Sequence, residues 1–241
     1  MPNAAVQRRR WGSRVQTWHQ HVTDSPAFAE IRRAVLREAA GPADRAVDLG
    51  AGTGFLTLPL AATVAQVVAI DIAQPMLEQL AAAARRDGHG NLRTVCVDLA
   101  SVDLPPGSVD LVVSSYALHH LRDADKAALL GRARRWLRPG GRVVIADMMF
   151  GRGGSRRDRA ILWAKVRRLA RKGPGGLWRI VKNAARFGVR RGTERPASPE
   201  FWIAALRRAG FVDVGFLPIV NEAGLVTARL PDVSAWQPPP A

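Results

Sequence analysis

The chain has 241 residues, 47% of them hydrophobic, and 36 Lys and Arg residues outnumber 20 Asp and Glu residues. This length suits one sizeable α/β domain, and the apolar runs are shorter than the roughly 20 residues that a membrane-spanning helix needs. Basic residues near the N-terminus are not followed by an apolar stretch, which argues against a secretory signal and predicts a cytoplasmic protein. The single cysteine, Cys96, excludes an internal disulfide, and we expect a buried thiol.

The predicted elements begin with helical sequence and continue as strands that alternate with helices. Residues 1–40 are predicted to form an N-terminal helical lid, with Ser25 and Pro26 at the start of a helix that Gly41 and Pro42 end. Strands are predicted at 45–50, 66–72, 92–99, 108–116, 141–150, 211–220 and 224–230. Helices are predicted at 55–65, 75–88, 125–140, 155–172, 175–191 and 198–210.

Apolar Val, Ile and Leu strands separated by helices are typical of a parallel sheet that is covered on both faces. We therefore predict an α/β fold, a Rossmann-like, doubly wound, seven-stranded sheet within a single domain that spans 1–241. The tail at 234–241, which contains three consecutive prolines, is predicted to be disordered.

A strongly basic segment interrupts the alternation after the fifth strand. Residues 152–195 contain fifteen Lys and Arg residues and two acidic residues, and Trp163 and Trp178 stand beside the basic positions. We interpret 151–196 as a helical insertion that caps the substrate region. A solvated cap, peripheral contact with an anionic membrane and, as a less favoured alternative, nucleic-acid binding are each consistent with this pattern.

The sequence VDLGAGTG follows the first predicted strand, where ligands of open α/β sheets bind. Gly50, Gly52 and Gly54 make G-x-G-x-G, and Phe55 stands where a dinucleotide-binding loop has its third glycine. A phosphate-binding loop is excluded because no G-K-[ST] follows. Asp48 precedes the glycines, and a carboxylate beside bare backbone suits a cationic ligand without phosphate.

With three further motifs, this loop resembles the class I S-adenosylmethionine-dependent methyltransferases. Besides VDLGAGTG, the matching positions are Asp71 in VVAIDI, Asp98 in CVDLAS, and LRPGGRVVIAD at the fifth strand. The resemblance covers about residues 44–150, and the motifs occur in the family's order. It implies S-adenosyl-L-methionine as the cofactor and implies no metal.

The resemblance also implies a role for each matching residue. Asp71 would accept the ribose hydroxyls, Asp98 the adenine amine, and Asp48 would help to hold the amino group or the loop. Ile72 would pack on the adenine ring. The residues expected to bind the cofactor are Asp48, Gly50, Ala51, Gly52, Thr53, Gly54, Asp71, Ile72, Met76, Asp98, Leu99 and Ser114.

The sequence SSYALHHL follows the fourth strand, where this family places residues beside the reacting methyl group. Ser114 is expected near the methionyl part, and His119 is the catalytic candidate that would face the acceptor. His120 is the weaker candidate, and His19 and His21 would reach the pocket only if the N-terminal helices close it.

The tetrapeptide of amino-methylating nucleic-acid enzymes is replaced by SSYA, and the remaining motifs are similar to the branch that methylates quinones, lipids and other small molecules. We therefore expect methyl transfer to a small-molecule or lipid-like acceptor. Two alternatives remain: an RNA methyltransferase that uses the basic insertion, and a non-catalytic cofactor-binding partner subunit. The sequence does not identify the acceptor atom or the oligomeric state.

Overall fold

The computed structural model describes residues 4–151, 155–170 and 194–232. Its strands are β1 (Arg45–Leu49), β2 (Gln66–Asp71), β3 (Leu92–Cys96), β4 (Val109–Ser115), β5 (Leu137–Met148), β6 (Val212–Pro218) and β7 (Ala223–Arg229). They form one sheet in the order β3-β2-β1-β4-β5-β7-β6. β1 to β5 pair in parallel, and β7 runs antiparallel to both β5 and β6. The predicted seven-stranded α/β sheet is confirmed.

The helices cover both faces of this sheet. They are α1 (Ala4–Gly12), α2 (Val15–Asp24), α3 (Pro26–Ala39), α4 (Thr57–Ala61), α5 (Gln74–Arg86), α6 (Asp123–Trp136), α7 (Arg156–Ala170) and α8 (Pro199–Arg208). One hydrophobic cluster contains Phe28, Ile31 and Val35 of α3, and another contains Trp136 of α6 and Trp202 of α8. The strand order reverses between β1 and β4, so the crevice beyond their carboxyl ends is the expected ligand site.

The N-terminal region consists of three helices, which are broken at Ser13–Arg14 and at Ser25. Two local predictions differ from the structure. The helix predicted at 55–65 is only Thr57–Ala61, because Pro59 lacks an N–H and is tolerated only within the first turn. Cys96 is exposed because its strand lies at the edge of the sheet.

The start of α7 is fastened to the sheet. The Asp158 carboxylate accepts hydrogen bonds from the backbone N–H groups of Gly151 (2.8 Å) and Ser155 (3.3 Å). The Arg157 guanidinium donates to the carbonyl oxygens of Met149 and Ala223. Residues 155–170 therefore begin from a fixed point beside β5 and β7.

The segment that re-enters the described part of the chain at residue 194 is fastened as well. The Arg195 N–H donates to the His119 carbonyl oxygen at 2.6 Å, and the buried Lys126 ammonium donates to the Arg195 carbonyl oxygen at 2.6 Å. The predicted helix at 175–191, including Trp178, and the predicted tail at 234–241 lie outside the described residues. Within the described ranges, no helix is long and apolar enough to span a membrane.

Candidate active site

The glycine loop leaves β1 and turns back over the end of β2. The N–H groups of Gly50 and Ala51 both donate to the Ile70 carbonyl oxygen, at 2.8 and 2.9 Å. Gly50 has a φ of +79°, and a Cβ there would overlap the Cβ of Ala117. Only glycine therefore lets this turn pass close to the loop that follows β4.

Gly54 serves packing and does not contact the pocket. Its φ is +99°, and a Cβ would lie 2.5 Å from Leu80 Cδ1 of α5. The loop can approach α5 closely because this side chain is absent. Gly54 and its neighbour Thr53 are thus expected cofactor residues that the structure places outside the pocket wall.

The carboxylate of Asp71 joins the loop to the end of β2. Its Oδ2 accepts the Gly52 N–H at 2.9 Å, and its Oδ1 accepts the Ala73 N–H at 2.8 Å. Burial raises the pKa of Asp71, and these backbone donors oppose that rise. Each carboxylate oxygen retains accepting capacity, so two hydroxyl groups of a ligand could bind to an already oriented side chain.

Asp48 is buried near the end of β1, with 2% of its surface exposed. Its Oδ2 accepts a hydrogen bond from Thr57 Oγ1 at 2.6 Å. Burial, and secondarily the charge of Asp71, raises the pKa of Asp48 to about 7. A cationic group placed beside it would favour the ionised form.

The segment after β3 supplies the third acid. Asp98 Oδ1 accepts the Ala100 N–H at 2.9 Å, and Arg132 donates to the Leu99 carbonyl oxygen at 2.7 Å. These bonds fix the backbone next to the end of β2. Asp98 and Leu99 both line the pocket.

One pocket opens over these three strand ends. Nine of the expected cofactor residues line it: Asp48, Gly50, Ala51, Gly52, Asp71, Ile72, Met76, Asp98 and Leu99. The carboxylates and the bare backbone predicted from the motifs are thus brought together on one wall.

The structure corrects the position of the expected serine. Ser114 is fully buried and donates to the Leu49 carbonyl oxygen at 2.7 Å, whereas Ser115 lines the pocket. Successive side chains of a strand point to opposite faces, so a shift of one residue exchanges the two positions. Ser115 Oγ is buried and has no hydrogen-bond partner among the described residues.

The orientation expected of His119 is corrected in the same way. Its Nδ1 lies 2.6 Å from Asp147 Oδ1, and its backbone N–H donates to Asp147 Oδ2 at 2.8 Å. Asp147 is buried, and although burial opposes its ionisation, His119 and the hydrogen bonds hold its pKa below the ordinary value. The ring of His119 therefore faces β5, and the next residue of the same short 3-10 turn, His120, lines the pocket.

The N-terminal helices form the opposite wall, which the motifs did not reveal. Gln7 and Trp11 of α1, Trp18 and Val22 of α2, and Phe28 of α3 line the pocket. His19 and His21 are absent from this wall. His19 Nδ1 lies 3.2 Å from Thr53 Oγ1, and His21 packs against the rings of Trp18 and Phe28.

A doubly wound sheet with a reversed last strand, together with acids at the carboxyl ends of its first three strands, is typical of Rossmann-like methyltransferases. Residues 46–141 match the family model described as a methyltransferase domain. A phosphoethanolamine N-methyltransferase of Triticum aestivum is 33% identical over 110 residues, which are 45% of this chain and 22% of that protein. An uncharacterized methyltransferase of Geobacillus kaustophilus is 36% identical over 104 residues, 43% of this chain and 46% of that protein.

Solved structures share the fold over most of the chain. The 1,6-didemethyltoxoflavin-N1-methyltransferase of Burkholderia thailandensis, bound to 1,6-didemethyltoxoflavin and S-adenosylhomocysteine, has a TM-score of 0.64 at 22% identity and covers 95% of this chain and 89% of its own. A SAM-dependent methyltransferase from Aquifex aeolicus has a TM-score of 0.61 at 18% identity, with coverage of 91% and 98%.

Residues 46–141 therefore match a methyltransferase domain, and the relatives and the shared fold support a class I S-adenosylmethionine-dependent methyltransferase with S-adenosyl-L-methionine as its cofactor. The chain spans less than half of the length of the Triticum aestivum and Geobacillus kaustophilus relatives. The residues present fit the cofactor, because three carboxylates and an open glycine turn face one pocket whose described wall has no lysine or arginine. Among the described residues, no group of His, Cys, Asp and Glu could hold a metal ion.

Proposed function

We propose that this protein transfers the methyl group of S-adenosyl-L-methionine to a small-molecule acceptor bound between the glycine loop and the N-terminal helices. The observation that carries the proposal is the convergence of Asp48, Asp71 and Asp98 with Gly50 and Gly52 on one pocket wall. A sulfonium ligand with an amino group, a ribose and an adenine offers a partner to each of these groups.

Each acid has a task that its surroundings support. Asp71 would accept the two ribose hydroxyls with oxygens already held by Gly52 and Ala73. Asp48 would stabilise the positive charge of the methionyl part, and Asp98 would accept the adenine amine. Ile72 and Met76 would supply apolar contact to the adenine ring, and both line the pocket.

Methyl transfer from a sulfonium requires little acid–base catalysis by the protein. The sulfonium of the bound cofactor supplies an already activated methyl group. The chain would hold the acceptor in line and exclude water, which can account for a large part of the barrier reduction. His120 on the wall is the side chain placed to accept a proton where the acceptor must lose one. The catalytic role predicted for His119 would then be indirect, through the turn that carries His120.

Isothermal titration with S-adenosylmethionine and S-adenosylhomocysteine tests the cofactor site. We expect Asp71→Asn to weaken binding about 10- to 100-fold, because hydrogen bonds to a charged group are worth about 1.5–3 kcal/mol. Asp87→Asn, at an exposed position after α5, is the matched control and should leave binding unchanged. No binding by the folded wild-type protein would refute the proposal.

The comparisons support a small acceptor without naming it. The Triticum aestivum relative is named for phosphoethanolamine, and the Burkholderia thailandensis structure contains 1,6-didemethyltoxoflavin. A lipid-like acceptor remains within the proposal. Incubating cell extract with the protein and methyl-labelled cofactor, followed by mass spectrometry of the soluble and lipid fractions, would identify the product class.

Peripheral membrane contact is a second proposal, favoured by one face of α7. Trp163 is 63% exposed, and Arg159 and Arg167, four residues before and after it, are exposed on the same helical face. An anionic bilayer attracts such a face through its arginines and accepts the indole at the headgroup level.

Sedimentation with phosphatidylglycerol or phosphatidylcholine vesicles tests this contact. We expect binding to the anionic vesicles alone, and we expect Trp163→Ala to weaken it while Val212→Ala, at an exposed apolar site on β6, leaves it unchanged. If the protein binds neither the phosphatidylglycerol nor the phosphatidylcholine vesicles, the proposal is refuted. Salt-dependent binding to RNA in place of vesicles would support the RNA alternative.

A further inference from the structure

The pocket wall that faces the glycine loop is aromatic. We define the aromatic wall as Trp11, Trp18, Phe28, Tyr116 and His120, all of which line the pocket. The ring centroids of Trp11 and Trp18 are 5.4 Å apart, those of Trp11 and His120 5.4 Å, and those of Phe28 and Tyr116 4.9 Å. Three helices and the loop after β4 thus present ring faces and edges to one space.

We propose that the methyl acceptor is a planar ring compound without a phosphate group and with at least one O–H or N–H group, held against the aromatic wall. This inference rests on the proposed function and specifies its substrate class. Offset and edge-to-face contacts between rings stabilise a planar ligand beyond the burial of its area. Because the rings of the wall are inclined to one another by 59° to 75°, a planar ligand would meet some by their faces and others by their edges.

The charges around the pocket argue against a phosphorylated acceptor. The charged side chains on its described wall are Asp48, Asp71 and Asp98, and all three are acids. Arg10 and Arg32 lie over the rings of Trp11 and Phe55 at 5.9 and 5.6 Å, but neither lines the pocket. Burying a phosphate beside these carboxylates is unfavourable where the described wall offers no lysine or arginine to pair with it.

Two polar atoms at the pocket require a partner that the described chain does not supply. Gln7 Oε1 and Ser115 Oγ are buried without a hydrogen-bond partner among the described residues, and both residues line the pocket. A buried polar atom left unpaired is destabilising, so a ligand that pairs with it binds better. Gln7 Oε1 accepts hydrogen bonds, which calls for an O–H or N–H group on the ligand.

Tyr116 shows that the wall is built at a conformational cost. Its φ of +52° lies in the left-handed region, which a bulky residue seldom adopts. Its N–H donates to the Ala146 carbonyl oxygen at 2.9 Å, which holds the backbone in place. This turn directs the ring toward Phe28 and the pocket.

Binding of probe compounds to the full chain tests the inference, first with and then without saturating S-adenosylhomocysteine. The probes are 2-naphthol and 8-hydroxyquinoline as neutral rings, phosphoethanolamine as the phosphorylated amine, and choline as the cation. We expect at least one neutral ring to bind and neither phosphoethanolamine nor choline to bind as tightly. Stronger binding of phosphoethanolamine or of choline, or no binding of either ring, would overturn the inference.

Substitutions at Trp11 test whether the ring probe binds against the aromatic wall. We expect Trp11→Ala to weaken ring binding about tenfold, which equals about 1.4 kcal/mol. Trp11→Phe, which keeps a ring, should restore most of the loss, and Trp163→Ala on the exposed face of α7 should change nothing. Ring binding that is equal in Trp11→Ala and Trp163→Ala would contradict the assignment.

The two proposals fail in different ways. If the protein binds a ring probe but not S-adenosylhomocysteine, the methyltransferase function is refuted, and the aromatic wall is still a binding site for rings. If the protein binds S-adenosylhomocysteine but neither ring probe, the proposed acceptor class is refuted, and the proposed methyltransferase function is not.

Discussion

The wall that carries the glycine loop is acidic and fixed by backbone hydrogen bonds, whereas the wall contributed by the N-terminal helices is aromatic and fixed by ring contacts. On the first wall, Asp71 is bonded to two backbone N–H groups and Gly50 touches Ala117. On the second wall, Trp18 and Trp11 meet edge to face. The first wall can specify a ligand atom by atom, and the second specifies shape and polarity.

This difference predicts that substitutions in the glycine loop have the largest effects. Gly50→Ala should lower the free energy of unfolding by about 3–4 kcal/mol, because the new Cβ overlaps Ala117 and the backbone conformation disfavours alanine. Gly107→Ala is the matched control, since Gly107 also has a positive φ, +60°, but has open space around it. Its cost should be about 1 kcal/mol in the same chemical denaturation experiment. Equal losses for both variants would show that the contact with Ala117 is unimportant.

The turn between the two walls gives the next largest effect. His119→Ala should lower the free energy of unfolding by about 3 kcal/mol, because it leaves Asp147 Oδ1 buried without the imidazole that lies 2.6 Å from it. His120→Ala should change stability by much less and instead lower the rate with an acceptor that must lose a proton. Unchanged stability of His119→Ala together with lost turnover would restore His119 as the catalytic residue.

The acidic wall should also make stability depend on pH. The folded-state pKa of Asp48 is raised to about 7, so its contribution to stability is present at low pH and is lost as pH rises toward 7. Between pH 5 and pH 8 the unliganded protein should therefore lose about 2–3 kcal/mol relative to Asp48→Asn. Thermal unfolding of both proteins across this range measures the difference.

Binding should show the opposite dependence on pH at the same residue. S-adenosylhomocysteine retains the amino group, so its affinity for the wild-type protein should rise as Asp48 ionises toward pH 8. The affinity of Asp48→Asn should be weaker and nearly independent of pH over the same range. Parallel pH profiles for the two proteins would contradict the contact with the amino group.

The aromatic wall should give the smallest effects. Trp18→Leu removes ring contacts with Trp11 and Phe28 and should weaken S-adenosylhomocysteine binding by about three- to tenfold, because such contacts are worth about 0.5–1.5 kcal/mol. Trp18→Phe should stay within about twofold of the wild type, since a ring remains. A larger loss for Trp18→Phe than for Trp18→Leu would show that the indole N–H near Gly52 matters more than the ring.

The acidic wall was predictable from the sequence because its motifs are short and local. Asp48 and Asp71 lie at the carboxyl ends of β1 and β2, and the glycines follow β1 directly. Parallel strands bring their carboxyl ends to one edge of the sheet. The motifs could not show which member of two neighbouring pairs faces the pocket. These pairs are Ser114 with Ser115, and His119 with His120. A single step along a strand or a tight turn reverses the direction of a side chain, and the sequence contains no local signal of which member faces the pocket.

The aromatic wall could not be predicted from the motifs. Helical spacing indicates that residues 4–39 are helical, but it does not indicate which face of α1 and α2 meets the sheet. Gln7, Trp11 and Trp18 come from helices that precede the matched domain at 46–141. Their position depends on contacts distant in sequence, such as that between Trp18 and Gly52.

Both described ends of the basic insertion are hydrogen bonded to the same edge of the sheet. Arg157 and Asp158 hold one end beside β5 and β7, and the bonds of Arg195 to His119 and Lys126 hold the other. The second anchor is also part of the pocket, because the His119 carbonyl oxygen that accepts the Arg195 N–H belongs to the turn that carries His120. A displacement of the chain at Arg195 would therefore be transmitted directly to the pocket wall.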